Sequence, residues 1–234
     1  KASNTDSDDN FGAHIHLFED FLAVGAPGES SCSAGINSNE NDNSCPDAGA
    51  TYIFRRTGSE WRQEAYIKAS NPTNSESFGS RISLNAKTLA VGAVGDNSCS
   101  TGIDGDDSDN LCPDSGAVFV FKRSGTSWNQ EAYVKASNTE TRDSFGTSVD
   151  VDENTLVVGA VGEASCASGE NGDQSDNSCS GAGAVYVFNR TGTSWTQESY
   201  LKRASPGSGG FGREIDLNKN AFVVSVSGDE SCAT

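Results

Sequence analysis

A Phe-Gly pair recurs at Phe11, Phe78, Phe145 and Phe211, in steps of 67, 67 and 66 residues, and no other feature narrows the possible folds as much. Trp61, Trp128 and Trp195 keep the step, as do Cys32, Cys99, Cys166 and Cys232. A fixed period in this range marks a repeat architecture, in which no unit buries its apolar face alone and each must stack on its neighbours. Residues 1–234 are therefore read as one continuous body, with units starting near 11, 78, 145 and 211 and the last unit incomplete.

Within a unit the pattern is that of strands. After each Phe-Gly comes a short alternating run, Ala13-His-Ile-His-Leu17, Ser80-Arg-Ile-Ser-Leu84, Thr147-Ser-Val-Asp-Val151 or Arg213-Glu-Ile-Asp-Leu217, and period-two alternation means a strand with one apolar face. A polar turn follows, then a run such as Leu156-Val-Val-Gly-Ala160, whose glycine fits close backbone approach between packed sheets. A third run, Ala117-Val-Phe-Val-Phe121 and its equivalents, is rich in aromatic and β-branched residues. Thr57-Gly58, Ser124-Gly125 or Thr191-Gly192 then turns the chain into a fourth run carrying the tryptophan, a hairpin signal. No segment holds a helical period. The fold expected is all-β, a β-propeller of four-stranded antiparallel blades, with three and a half blades in this chain.

Lys and Arg number 16 against 33 acidic residues, a net charge of −17. That balance argues against nucleic acid and anionic membrane as partners, since both need a basic face. No apolar run is long enough to cross a bilayer, so membrane insertion of this segment is not expected.

Phe11-Gly12 with Leu22-Ala-Val-Gly-Ala-Pro27 and Gly49-Ala-Thr-Tyr-Ile-Phe54, repeated as Phe78-Gly79 with Leu89-Ala-Val-Gly-Ala-Val94 and Gly116-Ala-Val-Phe-Val-Phe121, resembles the FG-GAP repeat of integrin α-subunit propellers and of many bacterial surface proteins. The proline stands only at Pro27, with Val94, Val161 and Ser227 in the later copies. Calcium-binding members of that family carry an Asp/Asn-rich loop between the first and second strands. Here that stretch is only Asn85-Ala-Lys87, Asp152-Glu-Asn154 or Asn218-Lys-Asn220, too short to encircle an ion, so the family's metal loop is not carried over. The resemblance implies an extracellular interaction platform without enzymatic activity.

Cys32 and Cys45, Cys99 and Cys112, and Cys166 and Cys179 are each 13 residues apart and bracket the long loop between the second and third strands. Equal spacing without nearby histidines reads as a disulfide within each blade and an oxidising, extracellular compartment. Zinc is the alternative, but a structural site needs four ligands at short spacings. Closing a loop of this size stabilises by about 3 kcal/mol in the chain-entropy model. The first residues, Lys1-Ala-Ser-Asn4, match interior Lys68-Ala-Ser-Asn71, and Cys232 would pair beyond Thr234, so a longer protein is the expectation.

Inside the loops, Asp104, Asp106 and Asp109 align with Asn171, Asp173 and Asp176, and Asp109 with Asp42. Such oxygen-rich stretches suit Ca²⁺, and equally suit exposed turns held by Asx hydrogen bonds. His14 and His16, with Asp150, Glu214 and Asp216, fall on the innermost strands, but Arg81 and Ser83 break any repeated metal set; these read as exposed variable positions. No nucleophile elbow, histidine metal motif or phosphate loop is present. Two roles follow: an adhesion platform binding a protein or glycan, or a structural repeat subunit of an extracellular filament whose partners are further copies of itself. Near-constant loop lengths favour the second, the family resemblance the first.

Overall fold

The computed structural model describes residues 1–4, 6–205, 207–219 and 221–227, so Cys232 lies outside the described residues. Alternation gives strands throughout. β1 (Ile15–Phe18), β2 (Phe21–Ala26), β3 (Ala50–Thr57) and β4 (Glu60–Ile67) form one antiparallel sheet in that order. β5 (Phe78–Leu84), β6 (Thr88–Ala93), β7 (Ala117–Ser124) and β8 (Ser127–Val134) form the second. The third contains β9 (Phe145–Asp152), β10 (Thr155–Ala160), β12 (Ala184–Thr191) and β13 (Ser194–Lys202), with the short β11 (Gly169–Glu170) added outside β13. β14 (Ile215–Asn218) and β15 (Ala221–Val224) make a two-stranded sheet. Each four-strand meander has the build of a propeller blade. Among the described residues there is no helix long and apolar enough to cross a membrane.

The core lies between sheets. Ile53 and Ala65 of the first sheet pack with Ile82, Leu84 and Phe119 of the second, and Val118 and Val120 of the second with Val149, Val151 and Tyr186 of the third. Because successive residues along a β-strand point alternately to the two faces of its sheet, one blade serves both interfaces. Glycine sets how closely the blades approach. Gly79 and Gly146, the glycines of the Phe-Gly pair, adopt φ of +91°, a backbone that L side chains rarely accept. Their carbonyls point at Gly25 and Gly92 in the second strand of the preceding blade, where an added Cβ would collide with them. The two glycines of the repeat are thus one contact.

A second device recurs at the outer strands. The β3–β4 register shifts between Ile53 and Phe54, β7–β8 between Val120 and Phe121, and β12–β13 between Val187 and Phe188. Each shift is a bulge that leaves one residue of the fourth strand unpaired: Glu64, Glu131 or Glu198. A bulge re-aims a side chain. Glu64 and Glu131 turn to the next blade and receive its arginine, Arg123 Nε at 3.0 Å and Arg190 Nη1 at 2.9 Å.

Candidate functional site

The loops between the second and third strands share one rim of the molecule, and each is fixed at three places. Disulfides join Cys32 to Cys45, Cys99 to Cys112 and Cys166 to Cys179. Asn37, Asp104 and Asn171 accept the backbone N–H of Tyr66, Tyr133 and Tyr200 at 2.9 Å, which docks the loop on the edge of the fourth strand. The third anchor is a buried ion pair at the loop's foot. Lys68 reaches Glu29 at 2.7 Å and Lys135 reaches Asp96 at 2.8 Å, and Lys202 pairs with Glu163. All three lysines are buried.

A buried charge persists only when its remaining hydrogen-bonding capacity is met. Glu29 also accepts from Tyr66 Oη at 2.8 Å and Ser31 N at 3.2 Å, and Glu163 from Tyr200 Oη at 2.8 Å and Ser165 N at 3.1 Å. Asn4 and Asn138 bridge these carboxylates to the hydroxyls of Tyr52 and Tyr186. In the second blade Phe119 stands where the others have that tyrosine, and the acid is Asp96, one methylene shorter. The hydroxyl and the longer arm change together because they belong to one network. Burial pulls the ammonium groups of Lys68 and Lys135 below their usual range, while Glu29 and Asp96 draw them back up. It raises the phenols of Tyr66, Tyr133 and Tyr200, and the adjacent carboxylates raise them further.

The residues considered for calcium are distributed among separate turns. Asp42 accepts from Cys32 N and Ser44, Asp109 from Cys99 N and Leu111 N, and Asp176 from Ser178 N. Asp106 and Asp173 each accept from the N–H and hydroxyl of the serine two residues on, Ser108 and Ser175. Those serine hydroxyls hold the carboxyls of Asp42, Asp106 and Asp173 below their usual range. Asp104 and Asn171 are the strand-docking acceptors already described. Among the described residues no group of three or more His, Cys, Asp or Glu side chains is placed to hold a metal ion. The loop oxygens serve their own backbone, as Asx turns do.

The turn segment leading into each blade buries another acid two residues before the phenylalanine: Asp9, Glu76 and Asp143. Asp9 and Asp143 accept from the backbone N–H of Asp6 and Glu140. Glu76 takes the Thr73 hydroxyl at 2.7 Å on one oxygen, and its Oε2 has no partner among the described residues. Burial drives Glu76 up to about 8 and Asp143 up to about 7.

At the axis the first strands gather His14, His16, Arg81, Asp150, Glu214 and Asp216 around a hollow of about 160 Å³. The change of residue type from copy to copy suggests exposed positions without a shared role, but His16, Ser83 and Asp150, which hold one place in the repeat, have a common task. His16 Nδ1 accepts the N–H of Leu84 at 3.2 Å, Ser83 Oγ that of Val151 at 3.0 Å, and Asp150 Oδ2 that of Leu217 at 2.6 Å. Each side chain forms a rung to the next blade's inner strand. Any acceptor suffices, so the residue type varies freely. Burial holds the His14 imidazole below its usual range, with Arg81 adding to the effect.

The FG-GAP repeat model matches residues 61–121 and 128–188, just over half of the chain. The chain belongs to the FG-GAP repeat family. Each match runs from the tryptophan of one fourth strand to the last phenylalanine of the next third strand, so it takes in one Phe-Gly pair and one second-strand glycine, each of which meets its counterpart in a neighbouring blade. In this FG-GAP chain the Phe-Gly pair and the second-strand glycine are the two halves of the interblade contact. None of the curated proteins matches the chain.

Proposed function

We propose that this FG-GAP chain is part of an extracellular, non-enzymatic propeller that serves as an adhesion platform for a protein or glycan. The observation that carries the reading is the threefold fixing of each loop, by its disulfide, by its dock on the fourth strand and by the buried lysine–carboxylate foot. Such a rim presents polar groups at little conformational cost on binding, and its disulfides suit an oxidising compartment. The test is to apply the purified, oxidised chain to a glycan array and to intact cells. Binding that is lost when the disulfides are reduced supports the platform; no binding to either surface overturns it.

The second reading, a structural subunit of an extracellular filament, draws on the ends of the blade row. Ile15 and Leu17 of β1 and Val223 of β15 are exposed, although their equivalents in the other blades are covered. Continuous filaments in electron micrographs of native material would favour this reading, and isolated discs would exclude it.

A further inference from the structure

The first and third blades carry a set of buried groups that the second lacks. The repeat supplies each blade with an asparagine from the segment before its first strand and a lysine from the end of its fourth, 64 residues later: Asn4 and Lys68, Asn71 and Lys135, Asn138 and Lys202. In the first blade Glu29 stands between the two. Its Oε2 accepts from Lys68 Nζ at 2.7 Å, its Oε1 accepts from Asn4 Nδ2 at 3.3 Å, and the Tyr52 hydroxyl donates to Asn4 Oδ1 at 2.6 Å. Asn4 Nδ2 also donates to the Glu40 carbonyl at 2.7 Å. In the third blade Glu163 holds Lys202 on Oε2 and Asn138 Nδ2 on Oε1 at 3.1 Å, and the Tyr186 hydroxyl donates to Asn138 Oδ1 at 2.6 Å. The second blade departs at two positions. Asp96 holds Lys135 but, among the described residues, not Asn71, whose amide donates to the Asp107 carbonyl at 2.6 Å, and Phe119 has no hydroxyl.

The set has the parts of an amide exchange. A lysine withdrawn from water becomes a nucleophile once it gives up a proton, and burial already pulls the Lys68 ammonium below its usual range. A carboxylate in contact with both nitrogens carries protons from one to the other. A hydroxyl on the amide oxygen stabilises the charge that develops there during attack. The lysine, acid and tyrosine of both sets are buried.

We propose that Lys68 with Asn4, and Lys202 with Asn138, form side-chain isopeptide bonds, and that the second blade forms none. In the first blade Lys68 gives a proton to Glu29 and its Nζ lone pair adds to Asn4 Cγ, while the amide oxygen takes up charge against the Tyr52 hydroxyl. Glu29 passes that proton to Nδ2. The Cγ–Nδ2 bond breaks as the Nζ–Cγ bond stays, a second proton follows from Nζ, and ammonium leaves. Glu29 ends as the carboxylate it began as, and no outside reagent is consumed. The bond ties the chain entering a blade to the chain leaving it, so tension along the chain runs through the bond and not through that blade's strand pairs.

Intact-mass spectrometry of the purified, oxidised chain tests this. The expected mass lies two ammonia molecules below that of the sequence with its three disulfides. After reduction and proteolysis, branched peptides should join Asn4 to Lys68 and Asn138 to Lys202. Mapping separates these from a succinimide at Asn171-Gly172, which loses ammonia without making a branch. Asn4→Ala should remove the first branch alone, and Glu29→Gln should do the same with both reacting residues still present. In each variant the surviving third-blade branch reports that the chain has folded. An unbranched map of the wild-type chain overturns the proposal, as does a branch at Lys135; a first-blade branch that persists in Glu29→Gln overturns the part given to the acid.

Discussion

Lys135 carries an ammonium into the interior, where Asp96 and the Ser115 hydroxyl both accept from it at 2.8 Å. Lys135→Met would leave Asp96 buried without its counter-charge, and a broken buried pair costs about 3–5 kcal/mol. Urea unfolding should show that loss, with part of it recovered when Asp96→Asn is added. Nothing in the sequence separated this lysine from a solvated one, because a repeated surface charge and a repeated buried charge have the same spacing. The linker acids give a second residue-scale prediction. Glu76 rises from 4.5 to about 8 and Asp143 from 3.8 to about 7, in both cases through burial. Between those limits the folded protein holds protons that the unfolded chain has released, so stability is greatest below the unfolded values and falls as pH rises through 7 and 8. Denaturation midpoints across that range should show the decline, and Glu76→Gln should flatten it; an unchanged slope in the variant would place the proton elsewhere.

Strands and hairpins were largely legible, because period-two alternation and a glycine turn encode them directly. The two-residue loops put Gly58, Gly125 and Gly192 first, at φ of +63° to +68°, the place type II′ turns reserve for glycine. The disulfides were legible too, since three equal spacings constrain pairing. The bulged glutamates were not, because a bulge is an offset between strands that alternation along one strand does not record. The inner rungs escaped notice for a different reason: His16, Ser83 and Asp150 share an acceptor role but no residue type. Two glycines test what the elements require. Gly125 has open space around its missing Cβ, so Gly125→Ala should cost only the left-handed strain, about 1–2 kcal/mol. Gly92 has an ordinary backbone but faces the carbonyl of Gly146, so Gly92→Ala must push two blades apart, an overpacking cost of up to about 3 kcal/mol. Chemical denaturation of the two variants ranks them, and a harmless Gly92→Ala would refute the glycine contact as the determinant of blade spacing.

At the scale of the whole molecule, the same interface is written repeatedly and left open at both ends of the row. Ile82 and Leu84 are 1% and 2% exposed against the first blade, whereas Ile15 and Leu17, at the same places in β1, are 62% and 61% exposed. On the other side Val223 is 68% exposed while Ala23, Ala90 and Val157 are fully covered. The outer edge of β15 is also without a strand partner among the described residues, and an open edge is a template for pairing. One end is the male half of the interface and the other the female half, so the contact they favour is head-to-tail, which closes into a ring if the rotation permits and extends into a filament if it does not. Propellers close with four to eight blades, so the covering blades come either from a longer polypeptide or from another copy. The 234-residue chain alone is expected to self-associate in sedimentation velocity as concentration rises, and the double variant Ile15→Lys, Leu17→Glu to sediment as a folded monomer. In native material, a polypeptide mass near 24.3 kDa would assign the covering blades to a second copy and a much larger mass to the same chain; a wild-type chain that stays monomeric at every concentration would show that these faces do not drive assembly.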